Sequence, residues 1–125
     1  MKTPSVVLTI AGSDSSGGAG IQADIKTISA LGSYAASVIT SVTAQNTLGV
    51  QGIHPIPTDM VCQQIDSVME DLHPEAIKIG MVCDKDIALT IAECIRQYHP
   101  RWVVYDPVMV STSGHKLMTD DTIEV

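Results

Sequence analysis

The chain has 125 residues and a mass of 13.3 kDa, about one domain, and its 45% apolar residues are enough for a buried core. Seven basic against fourteen acidic side chains leave a net charge of -7. With no basic stretch to neutralise a row of phosphates, and aromatic residues at 3%, nucleic-acid binding is disfavoured as a main task.

The first apolar run, Val6 to Ile10, is β-branched and ends at glycine, which predicts a strand buried on both faces. It is too short for the core of a signal peptide. After the segment Gly12 to Gly20, the residues Ile21, Ile25, Ile28 and Leu31 recur at helical spacing and Gly32 follows as a stop. Ala35 to Val42 predicts a second strand, running into a polar loop at Thr43 to Thr47. Gly49 to Pro57 matches neither period and reads as an irregular or edge strand. Thr58 is a candidate cap for a helix with the stripe Val61, Ile65, Val68, Met69 and Leu72, ended by His73-Pro74.

Ala76 to Val82 predicts the next strand, Asp84 caps a helix carrying Ile87, Ile91, Cys94, Ile95 and Tyr98, and Trp102 to Tyr105 predicts another strand after Pro100. Strands alternating with helices describe an α/β fold, a parallel sheet flanked by helices. Such a sheet holds its ligand at the carboxyl ends of the strands. The loops after Ile10, Val42, Met81 and Tyr105 are therefore expected on one rim. Thr119-Asp120-Asp121 resembles a capped helix start with only four residues after it. The chain is thus expected to be the N-terminal part of a longer protein, or to be completed by another chain.

Thr27 to Thr58 carries no charged side chain but is broken by polar residues, Gly and Pro, so it is not expected to span a membrane. Cys62, Cys83 and Cys94 form no C-x-x-C pair and no zinc spacing with the histidines; they read as thiols of a reducing compartment, and a cytoplasmic protein is expected. His73 and His99 stand near helix ends, where a helix-dipole contact accounts for them.

Five segments could carry chemistry. Gly12 to Gly17 has P-loop spacing, but Gly18 and Ala19 replace the lysine and hydroxyl; Gly18-Ala19-Gly20-Ile21-Gln22-Ala23 fits a dinucleotide fingerprint without its acidic ribose partner. A substrate loop, with close backbone approach and Asp14 and Asp24 as acceptors, competes with a plain flexible connection. Gln45-Asn46 offers carboxamides that can match an aminopyrimidine edge or simply satisfy a turn. Met81 can cover a flat ring or belong to the core. Asp106, fixed by Pro107, can position magnesium and nucleotide phosphates or cap a turn. Ser111 to Gly114 adds hydroxyls and a flexible glycine.

The ordered segments Leu8 to Asp24, Thr43-Ala44-Gln45-Asn46-Thr47, Ile77-Lys78-Ile79-Gly80-Met81 and Asp106-Pro107-Val108-Met109 resemble the hydroxymethylpyrimidine/phosphomethylpyrimidine kinases of thiamine biosynthesis. The resemblance implies a ribokinase-like fold, with residues 1–125 as the N-terminal part of a single kinase domain that uses ATP and Mg2+. It implies that Gln45 reads the aminopyrimidine edge, that Gly12 and Ala19 offer backbone beside the ring, and that Met81 and Val108 sandwich it. Asp24 would approach the substrate and Asp106 would stand near the metal.

The catalytic group and most of the ATP pocket are expected in a C-terminal half, so these residues alone should turn over negligibly. Many members carry a phosphate-facing lysine after the Asp-Pro-Val-Met-Val segment, where this chain has Ser111 and Thr112. The expected partner is a small pyrimidine alcohol, with no nucleic acid and no membrane, and a homo-oligomer is compatible with the sequence. The alternatives are a pyridoxal kinase of the same superfamily and a non-catalytic pyrimidine-binding module.

Overall fold

The β-branched run beginning at Val6 forms the centre of a sheet. The computed structural model describes residues 5–106. Its strands are β1 (Val6–Asp14), β2 (Tyr34–Asn46), β3 (Gly49–Pro55), β4 (Ala76–Ile79) and β5 (Trp102–Tyr105), in the spatial order β3-β2-β1-β4-β5. Strands β1, β2, β4 and β5 are mutually parallel, whereas β3 returns antiparallel along the outer edge of β2. The helices are α1 (Gly20–Ala30), α2 (Thr58–Leu72) and α3 (Lys85–Tyr98).

One face of the sheet is dry. Leu8, Ile10, Val38 and Ile77 pack there against Val61 and Ile65 of α2 and Ile87, Ile91 and Cys94 of α3. Removing each such side chain from water contributes about 1.5–3 kcal/mol, which makes this layer the main source of cohesion. Cys62 and Cys94 meet between α2 and α3 with their sulfurs 3.2 Å apart, both as free thiols. Burial, then the Cys62 thiol and the carboxylates of Asp66 and Glu93, pushes Cys94 up to about 12.

The other face carries α1, where Ile21 alone is buried. Leu31 does not join the helical stripe expected of it: α1 ends at Ala30, and Leu31 is 81% exposed just before Gly32 turns the chain with φ +89°.

Two strands run farther than local composition indicates. β1 continues past Ile10 to Asp14 because Ser13 and Asp14 pair with Val42 and Thr43, after a register shift at Gly12. β2 continues through the polar segment to Asn46 because β3 supplies its backbone partners, from Ser41 opposite Pro55 to Asn46 opposite Gly49. β4 is shorter than expected and stops at Ile79, after which the Gly80 N–H donates to the Ile10 carbonyl at 2.8 Å.

Where β3 does not reach, α2 closes the β2 edge: Gln64 Oε1 accepts from the Ile39 N–H at 2.9 Å and Gln64 Nε2 donates to the Ile39 carbonyl at 3.0 Å. A side chain thus takes the place of a neighbouring strand.

The helix ends follow local chemistry with two corrections. Asp84 caps α3 as expected, accepting from the Ile87 N–H at 2.8 Å. Thr58 is instead the first residue of α2, and Pro57 holds the cap position. His73 and His99 terminate α2 and α3 through left-handed backbone, with φ of 48° and 49°. Their role is conformational, the one glycine or asparagine usually takes, rather than the helix-dipole contact expected from their position.

No described helix is long and apolar enough to cross a membrane. Val108, the Ser111–Gly114 segment and the helix start at Thr119 lie outside the described residues.

Candidate binding site at the carboxyl edge of the sheet

Parallel strands bring their carboxyl ends to one edge, and there the ends of β1, β2 and β4 surround a cavity of about 80 Å³. Gly12, Ala19, Gln45 and Met81 all line it, so four residues from three separate segments of sequence converge. Gly12 is required by space: a Cβ would lie 2.7 Å from Met81 Cε and 2.9 Å from Ser41 Oγ. Gly20 is required by conformation as well, having φ +59° and no room for a Cβ against the Gly12 carbonyl.

The glycine loop is folded around Asp14, which is 4% exposed. Its Oδ1 accepts from the Ser16 N–H at 2.8 Å and the Ser16 hydroxyl at 2.7 Å, and its Oδ2 from the N–H groups of Gly18 at 3.0 Å and Ala19 at 2.8 Å. Burial alone would push this carboxyl up, but the hydrogen bonds from Ser16, Ala19 and Gly18 outweigh it and hold the group below the usual carboxylate range. Asp14 is therefore the anchor of the loop rather than an acceptor offered to a ligand.

Gln22, which sequence reasoning does not single out, completes the anchor. Its Oε1 accepts from the Asp14 N–H and its Nε2 donates to Ser13 Oγ, both at 2.8 Å.

The two carboxamides after β2 separate in role. Asn46 satisfies the turn, its Oδ1 accepting from the Leu48 N–H at 2.9 Å. Gln45 is pinned by its backbone, its N–H donating to Ser15 Oγ at 2.8 Å and its carbonyl accepting from the same hydroxyl at 2.6 Å. The Thr43 hydroxyl donates to the Ser13 carbonyl at 2.8 Å, and its oxygen lies 3.1 Å from the Gln45 carboxamide. The Gln45 Nε2 group makes no hydrogen bond among the described residues, which leaves two donors at the cavity wall.

Asp24 stands apart from this lining. Its Oδ2 accepts from Thr9 Oγ1 at 2.6 Å and from Lys78 Nζ at 2.9 Å, and it is Lys78 that lines the cavity. A lysine inside an otherwise apolar strand just before Gly80 is the sequence signal that points to it.

Asp106 emerges at the same end of the sheet, its N–H donating to the Ile79 carbonyl at 2.9 Å, but it is not among the cavity-lining residues. Among the described residues no three or more His, Cys, Asp or Glu side chains converge. A single carboxylate such as Asp106 fits magnesium in its ordinary protein setting, where phosphate and water supply most of the ligands.

A mostly parallel sheet with a glycine-floored cavity at its carboxyl edge, walled by a carboxamide and an ammonium, defines an α/β unit with its cavity where such folds hold small ligands. The sequence profile of the phosphomethylpyrimidine kinase family matches residues 14–125, and the chain belongs to that family. It is 52% identical over 116 residues to the hydroxymethylpyrimidine/phosphomethylpyrimidine kinase of Bacillus subtilis, covering 93% of this chain and 43% of the relative.

The solved phosphomethylpyrimidine kinase of Clostridium difficile superposes with a TM-score of 0.90 at 52% identity, covering 96% of this chain and 52% of that one. A pyridoxal kinase from Staphylococcus aureus in complex with AMP-PCP and pyridoxal matches at a TM-score of 0.77 and 35% identity, over 86% of this chain and 40% of that one. The chain thus spans less than half the length of the bacterial hydroxymethylpyrimidine/phosphomethylpyrimidine kinases it matches.

Proposed function

We propose that this chain is the acceptor-binding part of a cytoplasmic kinase that phosphorylates 4-amino-5-hydroxymethyl-2-methylpyrimidine and then its monophosphate in thiamine biosynthesis. The observation that carries the reading is that Gly12, Ala19, Gln45 and Met81 line one cavity at the carboxyl edge of the sheet. Gln45 can meet an aminopyrimidine edge with two parallel hydrogen bonds: Nε2 donates to the ring nitrogen and Oε1 accepts from the exocyclic amine.

Gly12 admits the ring face-on to backbone, and Met81 packs its thioether against it, while Val108, outside the described residues, is the second cover that the family resemblance implies. Asp106 would hold magnesium, which with ATP supplies charge neutralisation on the transferring phosphate. Binding the alcohol in one orientation is this chain's share of the in-line geometry.

The experiment compares acceptors in the whole protein, with ATP and magnesium present. Phosphorylation of the hydroxymethylpyrimidine, with weaker use of pyridoxal and loss of activity in Gln45→Ala, is the expected outcome. Preference for pyridoxal would reassign the substrate. Binding of the pyrimidine that no nucleotide converts to product would reduce the protein to a binding module.

A further inference from the structure

Among the described residues, two charged side chains line the cavity, Asp14 and Lys78. Among the described residues, every hydrogen bond that the Asp14 carboxylate accepts comes from its own loop. Lys78 differs. Its ammonium makes one contact among the described residues, to Asp24 Oδ2 at 2.9 Å, and so retains two N–H donors beside the cavity.

The fold makes room for that ammonium. At Gly80 a Cβ would fall 2.9 Å from Lys78 Nζ and 3.0 Å from Ala11 Cβ, so any larger residue would displace the lysine head. Thr9, directly across the ladder from Lys78, donates to the same Asp24 oxygen at 2.6 Å. Asp24 is therefore fixed by a buried hydroxyl and in turn fixes Nζ.

Strand order sets what Lys78 can reach. β1 lies between β2 and β4, so Gln45 and Lys78 approach the cavity from opposite sides of Gly12. A flat ring resting on Gly12 meets the carboxamide at one edge and the ammonium at the other.

We infer that Lys78 is a specificity-determining residue that donates a hydrogen bond to a ring nitrogen on the edge opposite the one Gln45 reads, and that Asp24 is its positioning residue. The inference rests on the proposed reading of the cavity as a heteroaromatic acceptor site. It refines the ligand class: the ring must carry an unprotonated nitrogen at both edges, because a protonated one would bring a like charge to the ammonium. In the hydroxymethylpyrimidine that nitrogen is the one para to the amino group.

Calorimetric titration of the whole protein with two ligands, at mildly alkaline pH where both rings are neutral, tests this. One is 4-amino-5-hydroxymethyl-2-methylpyrimidine. The other is 2-amino-3-hydroxymethyl-6-methylpyridine, which keeps the edge for Gln45 and replaces the distal nitrogen by CH. A charged donor predicts a preference of about tenfold or more for the pyrimidine. The preference should vanish in Lys78→Met and shrink in Asp24→Asn, while Gln45→Ala weakens both ligands alike.

Because each preparation is read against both ligands, partial unfolding leaves the ratio unmoved. Equal affinities in the wild type, or a preference retained by Lys78→Met, would overturn the assignment of Lys78 alone. Failure of the wild type to bind either ring would overturn the heteroaromatic reading beneath it as well.

Discussion

The two faces of this sheet are built from the same strands and differ in chemistry at alternate residues. On the α2–α3 face, Leu8, Ile10, Val38 and Ile77 are apolar and inaccessible. On the α1 face, Thr9 and Lys78 face Asp24 in a polar contact that stops short of full burial. Alternation along a strand points successive side chains to opposite faces, so one stretch of sequence folds the domain with one set and equips its edge with the other. The difference predicts that substitutions one residue apart in β1 and β4 separate stability from binding.

The largest expected effect is on the dry face. Ile10→Ala should destabilise by about 2–5 kcal/mol, a cavity-creating loss in a packed core, read as a fall in the denaturant midpoint. A value near zero would remove the distinction between the faces. Asp14→Asn comes next. The replacement amide sets a donor against the N–H groups of Gly18 or Ala19, with a cost of about 1–3 kcal/mol for the lost charge-assisted bonds.

The pH dependence sharpens that prediction. The Asp14 carboxyl is held below its ordinary value in the fold, so its contribution is complete above the unfolded value, about 3.9, and is lost as pH falls through the lower folded value. Acid unfolding curves of wild type and Asp14→Asn should therefore converge at low pH. Curves that stay parallel would show that the carboxylate does not anchor the loop.

Gly12→Ala should act mainly on the cavity. The added methyl would press on Met81 and Ser41, which costs about 1–3 kcal/mol of overpacking and should lower affinity for a ring ligand at least tenfold in a binding titration. The smallest effect belongs to the sheet edge: Gln64→Ala removes both partners of the Ile39 backbone and should cost about 1 kcal/mol, with faster hydrogen exchange at the Ile39 amide as the specific readout.

Legibility in the sequence follows the range of the forces involved. The Asp84 cap, the α3 stripe and the strand at Val6 are local, set by neighbours within a few residues, and the structure shows each of them. The far ends of β1 and β2 were not legible, because Asp14 pairs with Thr43 and Asn46 with Gly49 only once distant strands align.

The site shows the same division. Gly12, Ala19, Gln45 and Met81 could be proposed from ordered motifs, and they do share a cavity. The contact between Lys78 and Asp24 is not legible in the sequence, because the 2.9 Å bond between them spans 54 positions. Asp106 reaches the right end of the sheet, where a strand-terminal position could be read from pattern alone.

We propose that the carboxyl edge of this sheet receives a flat aminopyrimidine alcohol. That is tested most directly by titrating isotope-labelled protein with 4-amino-5-hydroxymethyl-2-methylpyrimidine and following amide and side-chain NMR signals. Saturable shifts are expected at Gly12, Ala19, the Gln45 carboxamide and the Met81 methyl, with the α2–α3 face unmoved. Shifts confined to that opposite face, or no saturable shift at Gln45, would contradict it.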